Sequence, residues 1–484
     1  MNEAGSARWI HLAGAGALAG WVVLAVASHR VGRPLPVFLA VLAWEWTLLL
    51  LAWRALGGVE AARARRAVMV WTGAFLVCGA FATPVMEDDQ FRFLWDGWQF
   101  ATTGNPYTAA PAEFFRDTNV PEKLQEVLSQ INYPHVPTIY GPVCEAGFLV
   151  SYWIAPGELW PWKLLVSATA LALVWVVAQA AGLGRVREPG RSRRGEAHSL
   201  REKDQSLLTS APAKRGEDPS TVVRAALLIG WCPLLIFEAG FNAHPDVLGV
   251  LALAAALLAR LRGSGVVCGV CCGLAVAAKV FALPLAPFLL WRSRAAWLGA
   301  AAAVLVIYAP FWRQGSGAEF AGLARFASEW EFNSSLFGVA RWALGAPAAK
   351  GVCGALFMAA WVWLFLCWRR RVGNAGWEMP PGAAVFGTLL LCSATVNPWY
   401  LLWLAPFVAW RPTAAGVAAL ALVSLSYLTG LNLGWPTLDS FAHPWWVRLL
   451  EYGGLLAAAV VGWRWRNHGT VPVQQGAPSS CSAR

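Results

Sequence analysis

Charge is what this chain has least of: Asp, Glu, Lys and Arg make up 13% of its 484 residues, about half the share found in soluble domains. With 57% hydrophobic residues and 30 tryptophans, that scarcity excludes an ordinary water-soluble fold and implies a multi-spanning membrane protein. A disulfide framework is missing as well. Cys78, Cys232, Cys268, Cys271, Cys272, Cys353, Cys367 and Cys392 lie inside apolar runs and read as small packing residues. No His or Cys pair elsewhere completes a zinc set around Cys268-Gly-Val-Cys271-Cys272. There is no convincing internal repeat, which counts against transporter folds built on symmetry. The first apolar run, residues 9–29, follows Arg8 but lacks a clear small-residue cleavage site, so it is expected to stay as a first helix.

The charge that is present is biased, with a formal net of +11. The basic residues cluster in short segments between apolar runs, as expected for loops held beside anionic lipid, and this argues against a nucleic-acid partner. Asking for roughly 17 to 25 apolar residues per span gives about fourteen runs, some of them short. They lie near 9–29, 35–53, 67–86, 163–182, 222–240, 245–260, 264–279, 281–291, 295–312, 351–368, 384–396, 398–410, 413–432 and 445–463. The segment Pro142 to Pro156 is apolar but brief and carries Glu145. Counted as a span, it would put the Arg-rich loop 183–224 outside, against the positive-inside rule. As a dip from the outer face, it lets the basic segments 54–66, 185–224, 260–262, 292–294, 369–371 and 464–466 all fall inside. Both termini are then cytoplasmic, and only Arg30 and Arg33 break the pattern.

The expected organisation is therefore one all-α polytopic membrane domain over 1–484, with a large outer loop at 86–162 carrying juxtamembrane helices. A flexible basic cytoplasmic loop at 183–224 and a disordered tail at 467–484 complete it. The acidic group Glu87-Asp88-Asp89 opens the outer loop. Read as a helix, Phe91, Leu94, Trp95 and Trp98 form one apolar stripe, while Asp89, Arg92, Asp96 and Gln99 line another face. Such a helix is expected to lie in the membrane surface with its carboxylates toward water, and Gly104, Asn105 and Pro106 end it.

Asp88-Asp89-Gln-Phe-Arg92-Phe-Leu-Trp95-Asp96-Gly97, then Gly104-Asn105-Pro106-Tyr107, then Asn132-Tyr-Pro-His135-Val-Pro-Thr138-Ile-Tyr140-Gly-Pro142 resembles the first outer loop of bacterial GT-C-type glycosyltransferases. The likeness is nearest to polyprenyl-phosphate-mannose-dependent mannosyltransferases. Phe91 and Phe93 replace tyrosines of that pattern and Gly141 replaces a proline, so acceptor specificity does not carry over. Asn242-Ala-His244-Pro-Asp246, Lys279 and Asn397-Pro-Trp399-Tyr400 resemble later family pieces, in family order.

The resemblance implies an integral membrane hexosyltransferase, by its nearest likeness a mannosyltransferase, of the bacterial cytoplasmic membrane. It would move sugar from a polyprenyl-phosphate donor to a lipid or glycan acceptor on the outer face, with inversion. Such a reaction needs a base for the acceptor hydroxyl, and Asp89 is the first choice with Asp88 beside it. It needs cationic or hydrogen-bonding groups at the departing phosphate, for which Lys279, Arg92, His135 and His244 are candidates. Trp95, Asp96, Asn105, Tyr107, Tyr140, Asn242, Asp246, Trp399 and Tyr400 are the candidate sugar and substrate contacts. Competing explanations stand beside several of these. Asp96 pairs with Arg92 at i+4, Lys279 snorkels to the headgroups, and Asp246 starts a helix. Glu87, Asp88 and Asp89 are hard oxygen ligands suited to a divalent cation; a monophosphate leaving group carries less charge, so a cofactor-free mechanism is expected. A transporter or lipid flippase is the alternative reading, and a non-catalytic scaffold a third.

Overall fold

The computed structural model describes residues 3–30, 32–183, 219–312, 318–373 and 376–468. The expected flexible loop at 183–224 falls largely outside the described residues, as does all but the start of the expected tail. The described chain is all-α: no strand forms among these residues beyond a parallel bridge between Phe332 and Thr395.

Among the described residues, five helices are long and apolar enough to cross a membrane: Ala7–Ser28, Leu35–Ala55, Trp160–Leu183, Arg294–Trp312 and Ala346–Val372. A sixth span is available if the bent pair Ser220–Gly230 and Pro233–Phe241, which meet at 47°, is taken as one. The bend follows from sequence, since Pro233 offers no N–H to the preceding turn and the chain continues as a π-helical segment, Ile236–Phe241. The expected count of about fourteen is not met by such helices. Residues 281–291 form a short 3₁₀ and α pair containing Pro284, Pro398–Trp403 is another 3₁₀ segment, and Ala414–Leu422 passes into a 3₁₀ turn. Proline and 3₁₀ geometry break runs that composition alone reads as continuous.

Packing relies on small residues where helices meet. A Cβ on Gly269 would come 2.0 Å from the Ala296 carbonyl oxygen, and one on Gly299 2.7 Å from that of Val266, so helices Gly265–Ala278 and Arg294–Trp312 touch backbone to backbone. Cys268 and Cys272 are buried free thiols on the same helix, as expected of packing residues.

The acidic motif opens the helix Gln90–Thr103, which closes on Gly104 in the left-handed conformation (φ 73°). This helix does not lie on a lipid surface. Trp95 and Trp98 pack against Val120, Leu124, Val127, Leu128 and Ile131, because the chain after Gly104 folds back over the aromatic stripe. The opposite face is covered too: Asp96 and Gln99 are fully buried instead of facing water. Gly97 makes the close approach possible, since a Cβ there would sit 2.6 Å from the Phe148 carbonyl oxygen of helix Pro142–Ile154. That helix has 13 residues, about 20 Å of rise, too short to cross a hydrocarbon layer of about 30 Å. Its length agrees with the expected dip.

Gly269→Val should force the two backbones apart and cost on the order of 1–3 kcal/mol. A lowered thermal midpoint of the detergent-solubilised variant checks this; an unchanged midpoint contradicts the packing described.

Candidate active site

The acids sit on a short segment anchored from distant parts of the chain. Met86 adopts φ 72°, a left-handed conformation that a residue with a long side chain seldom takes. Its carbonyl is held by Arg33 Nη1 at 2.5 Å and Asn432 Nδ2 at 3.3 Å, while the same Nη1 donates to Asn432 Oδ1 at 2.8 Å. Asn242 Oδ1 accepts from the Val85 N–H at 3.3 Å. The backbone reversal at Met86 then leads into three successive carboxyls with separate partners. Glu87 Oε1 lies 3.1 Å from His244 Nε2, Asp88 accepts from the Asn132 amide, and Asp89 Oδ2 accepts from the Tyr140 hydroxyl at 3.3 Å.

These groups border a cavity of about 290 Å³. Its wall carries Asp88, Asp89, Arg92, Tyr107, Tyr140, Asp246, Lys279, Trp399 and Tyr400 together. Lys279 Nζ donates to Asp246 Oδ1 at 2.7 Å and lies 4.0 Å from the Tyr400 ring centre; Trp403 Nε1 donates to the same Asp246 oxygen at 2.7 Å. Lys279 thus has a fixed position on the cavity wall, beyond simple snorkelling. Arg92 uses Nε on Asp96 at 2.8 Å and Nη1 on the Val136 carbonyl at 2.9 Å. Asp96 is a buried orienting partner, and Glu145, bonded by Thr138 at 2.8 Å, sits in the same buried network away from the cavity wall.

Other expected contacts fall elsewhere. His135 is exposed and turned away from the cavity; its carbonyl accepts from Arg325. It lies two residues after Tyr133, which is left-handed (φ 51°), and just before Val136, which returns to the cavity wall. Trp95 is sealed under Phe114 with its indole N–H on Gln99. Asn105 shapes the turn by accepting from the Tyr107 N–H at 2.9 Å. Asn242 stands behind the wall, donating to Glu238 and Tyr427. His244 is also behind it, fully buried and stacked on Trp399 at 3.8 Å and 15°. The structure adds Arg33, Glu238 and Tyr427, which sequence reasoning did not select. Arg33 had one signal, its exception to the charge pattern; Glu238 and Tyr427 had none.

Burial dominates the electrostatics. It pushes the Glu87 carboxyl well above its usual range, with Asp88 adding to the rise. It pushes Asp89 up to about 7, reinforced by Glu87 and opposed by His244. Burial also lowers the His244 imidazole, against the pull of Glu238. Glu87, Asp89 and His244 each place a ligand atom within 4.8 Å of the others, whereas Asp88 turns to Asn132. A cation would therefore be held by this trio and not by the three adjacent acids. Glu87 Oε1 and His244 Nε2 face each other at 3.1 Å, and His244 Nδ1 is buried without a hydrogen-bond partner, which leaves the imidazole able to serve as a ligand.

No protein-family model matches the chain, and no curated protein does. Among solved structures it is similar to the crystal structure of ArnT from Cupriavidus metallidurans bound to undecaprenyl phosphate, at 15% identity and a TM-score of 0.41, over 83% of this chain and 72% of that one. An overlap at that level carries no statement about chemistry.

Two outcomes are expected. Arg33→Ala leaves the buried Met86 carbonyl with one weaker donor and should cost about 1–3 kcal/mol of stability, read from thermal unfolding in detergent. Asp89, with a usual value of 3.8 raised to about 7, holds a proton in the folded state that the unfolded chain has released. Its contribution to stability therefore falls as pH rises from about 4 to 7. Glu87, Asp88 and His244 face it and titrate too, so the difference between wild type and Asp89→Asn is the quantity to measure. The variant should lose part of that slope; parallel curves contradict the assignment.

Proposed function

We propose that this protein is an integral membrane glycosyltransferase, moving a hexose, mannose in the first instance, from a polyprenyl-phosphate sugar to a lipid or glycan acceptor. The reaction is placed on the extracytoplasmic face of a bacterial cytoplasmic membrane. The observation that carries the reading is that a carboxyl raised to near neutrality, Asp89, borders the same cavity as Lys279 and Arg92. A carboxylate with that affinity for protons suits a base acting near pH 7. The acceptor oxygen attacks the anomeric carbon as its proton passes to Asp89; the bond to phosphate breaks and the electron pair leaves with it. Displacement is direct, so the anomeric configuration inverts. Lys279 and Arg92 meet the charge that grows on the phosphate, and Tyr140, Tyr400 and Trp399 offer aromatic surface to the sugar. Asp246 and Asp96 hold the two cations in place, and His135 has no part.

A second reading is favoured by one observation, the convergence of ligand atoms from Glu87, Asp89 and His244 within 4.8 Å of one another. A divalent cation held by Glu87, Asp89 and His244 would supply Lewis-acid character to that wall and occupy Asp89. The cation-free reading is preferred because a phosphomonoester-type leaving group needs less neutralisation.

The test is transfer of radiolabelled mannose from polyprenyl-phosphate-mannose in membranes holding the full chain. With Asp89 as base, kcat/KM should rise with pH through a midpoint near 7, and transfer should survive treatment with a chelator. Loss on chelation, restored by a divalent cation, would establish the second reading. Movement of intact donor across the bilayer with no transfer would favour a flippase.

A further inference from the structure

We propose that the wall built by Asp88, Asn132, Tyr133 and Trp330 is the acceptor seat, and that it takes a neutral carbohydrate: a sugar ring laid on Tyr133 and Trp330, with its hydroxyls bonded by Asp88 and Asn132. This rests on the transfer reading above and names the substrate class that reading leaves open.

Tyr133 is the starting point. It holds φ 51°, where a bulky residue is strained, and yet its side chain is not consumed by the core. Tyr133 is 48% exposed, with its ring 4.6 Å from Trp330 at 65° and 6.4 Å from Phe441. All three line the cavity that Asp89 borders. A strained backbone that presents a partly uncovered aromatic corner to a cavity is arranged for a flat apolar face, and a sugar ring has one.

The polar groups beside it match the rest of a sugar. Asn132 immediately precedes Tyr133 and its amide donates to Asp88, the neighbour of the proposed base. A carboxylate that accepts and an amide that both donates and accepts are the complements of hydroxyls. This wall offers an anion little: Asp88 lines it, Glu331 is paired with Arg341, and Arg33 spends its Nη1 on the Met86 carbonyl and Asn432. The cations that line the cavity beside Asp89, Lys279 and Arg92, are those assigned to the donor. In the reaction one acceptor hydroxyl forms the new C–O bond and gives its proton to Asp89, while the donor's C–O bond to phosphate breaks.

The test uses purified full-length protein in detergent, with mannobiose, cellobiose and their 6-phosphates as probes. Binding is followed by calorimetry, and transfer with labelled polyprenyl-phosphate-mannose. A neutral disaccharide should bind, with its 6-phosphate at least tenfold weaker. Tyr133→Ala and Trp330→Ala should raise the acceptor KM at least tenfold while the donor KM stays within twofold, and Tyr133→Phe should restore binding. An acceptor KM insensitive to both alanine variants, or preference for the phosphorylated probes, overturns the seat and leaves the transfer reading standing. Tyr133-dependent sugar binding with no transfer keeps the seat and overturns the transfer reading. Absence of both binding and transfer with every probe counts against both.

Discussion

The Met86 carbonyl and the groups that hold it are the constraint on which the site depends. Three acidic side chains in succession would ordinarily spread into water. The reversed backbone at Met86, fixed by Arg33 from the first helical hairpin and Asn432 from near the C-terminal end, turns them into protein instead. Each acid then meets a different neighbour, and the three adjacent carboxyls become three chemically distinct groups. Glu87 goes to His244, Asp88 to Asn132, and Asp89 to Tyr140 and the cavity. Burial raises all three, so they hold protons at pH values where exposed acids would be ionised.

The two cavity cations obey the same logic in reverse. Lys279 is tied to Asp246, which also takes the Trp403 indole, and Arg92 is tied to Asp96 and the Val136 carbonyl. Each pairing fixes a long side chain that would otherwise lose considerable freedom on meeting a ligand. Behind Arg92, Glu145 and Asp96 form a buried pair of which Asp96 meets the guanidinium, and burial together with the Asp96 charge pushes Glu145 well up. One proton retained by that pair leaves the network close to neutral, and Arg92 stays aimed at the cavity.

Much of this was legible in local pattern. The aromatic spacing at Phe91, Leu94, Trp95 and Trp98 gave the helix Gln90–Thr103, and proline-bounded brevity marked Pro142–Ile154 as too short to span. What covers the first helix was not legible, since its stripe suits lipid as well as it suits Leu124 and Val127, which lie more than twenty residues on. Hydropathy does not register the breaks at Pro233, Pro284 and Pro398, so apolar runs outnumber the long unbroken helices among the described residues. Of the residues in the acidic motif, Asp88, Asp89 and Arg92 line the cavity. His135 lies off the cavity wall although its neighbours Tyr133 and Val136 line it, a side-chain direction that spacing in a loop does not encode. Partnerships across the chain, such as Arg33 with Asn432 or Glu238 with Tyr427, leave no spacing signal at all.

The central claim is that Asp89, and not Asp88, removes the acceptor's proton. It is tested most directly by single-turnover transfer of labelled mannose in wild type, Asp89→Asn and Asp88→Asn at matched donor occupancy. The expected result is a loss on the order of 10²–10⁴-fold in the chemical step for Asp89→Asn, and for Asp88→Asn a weakened acceptor affinity with the step itself largely kept. Equal chemical steps in wild type and Asp89→Asn, or the larger loss at Asp88, would contradict it.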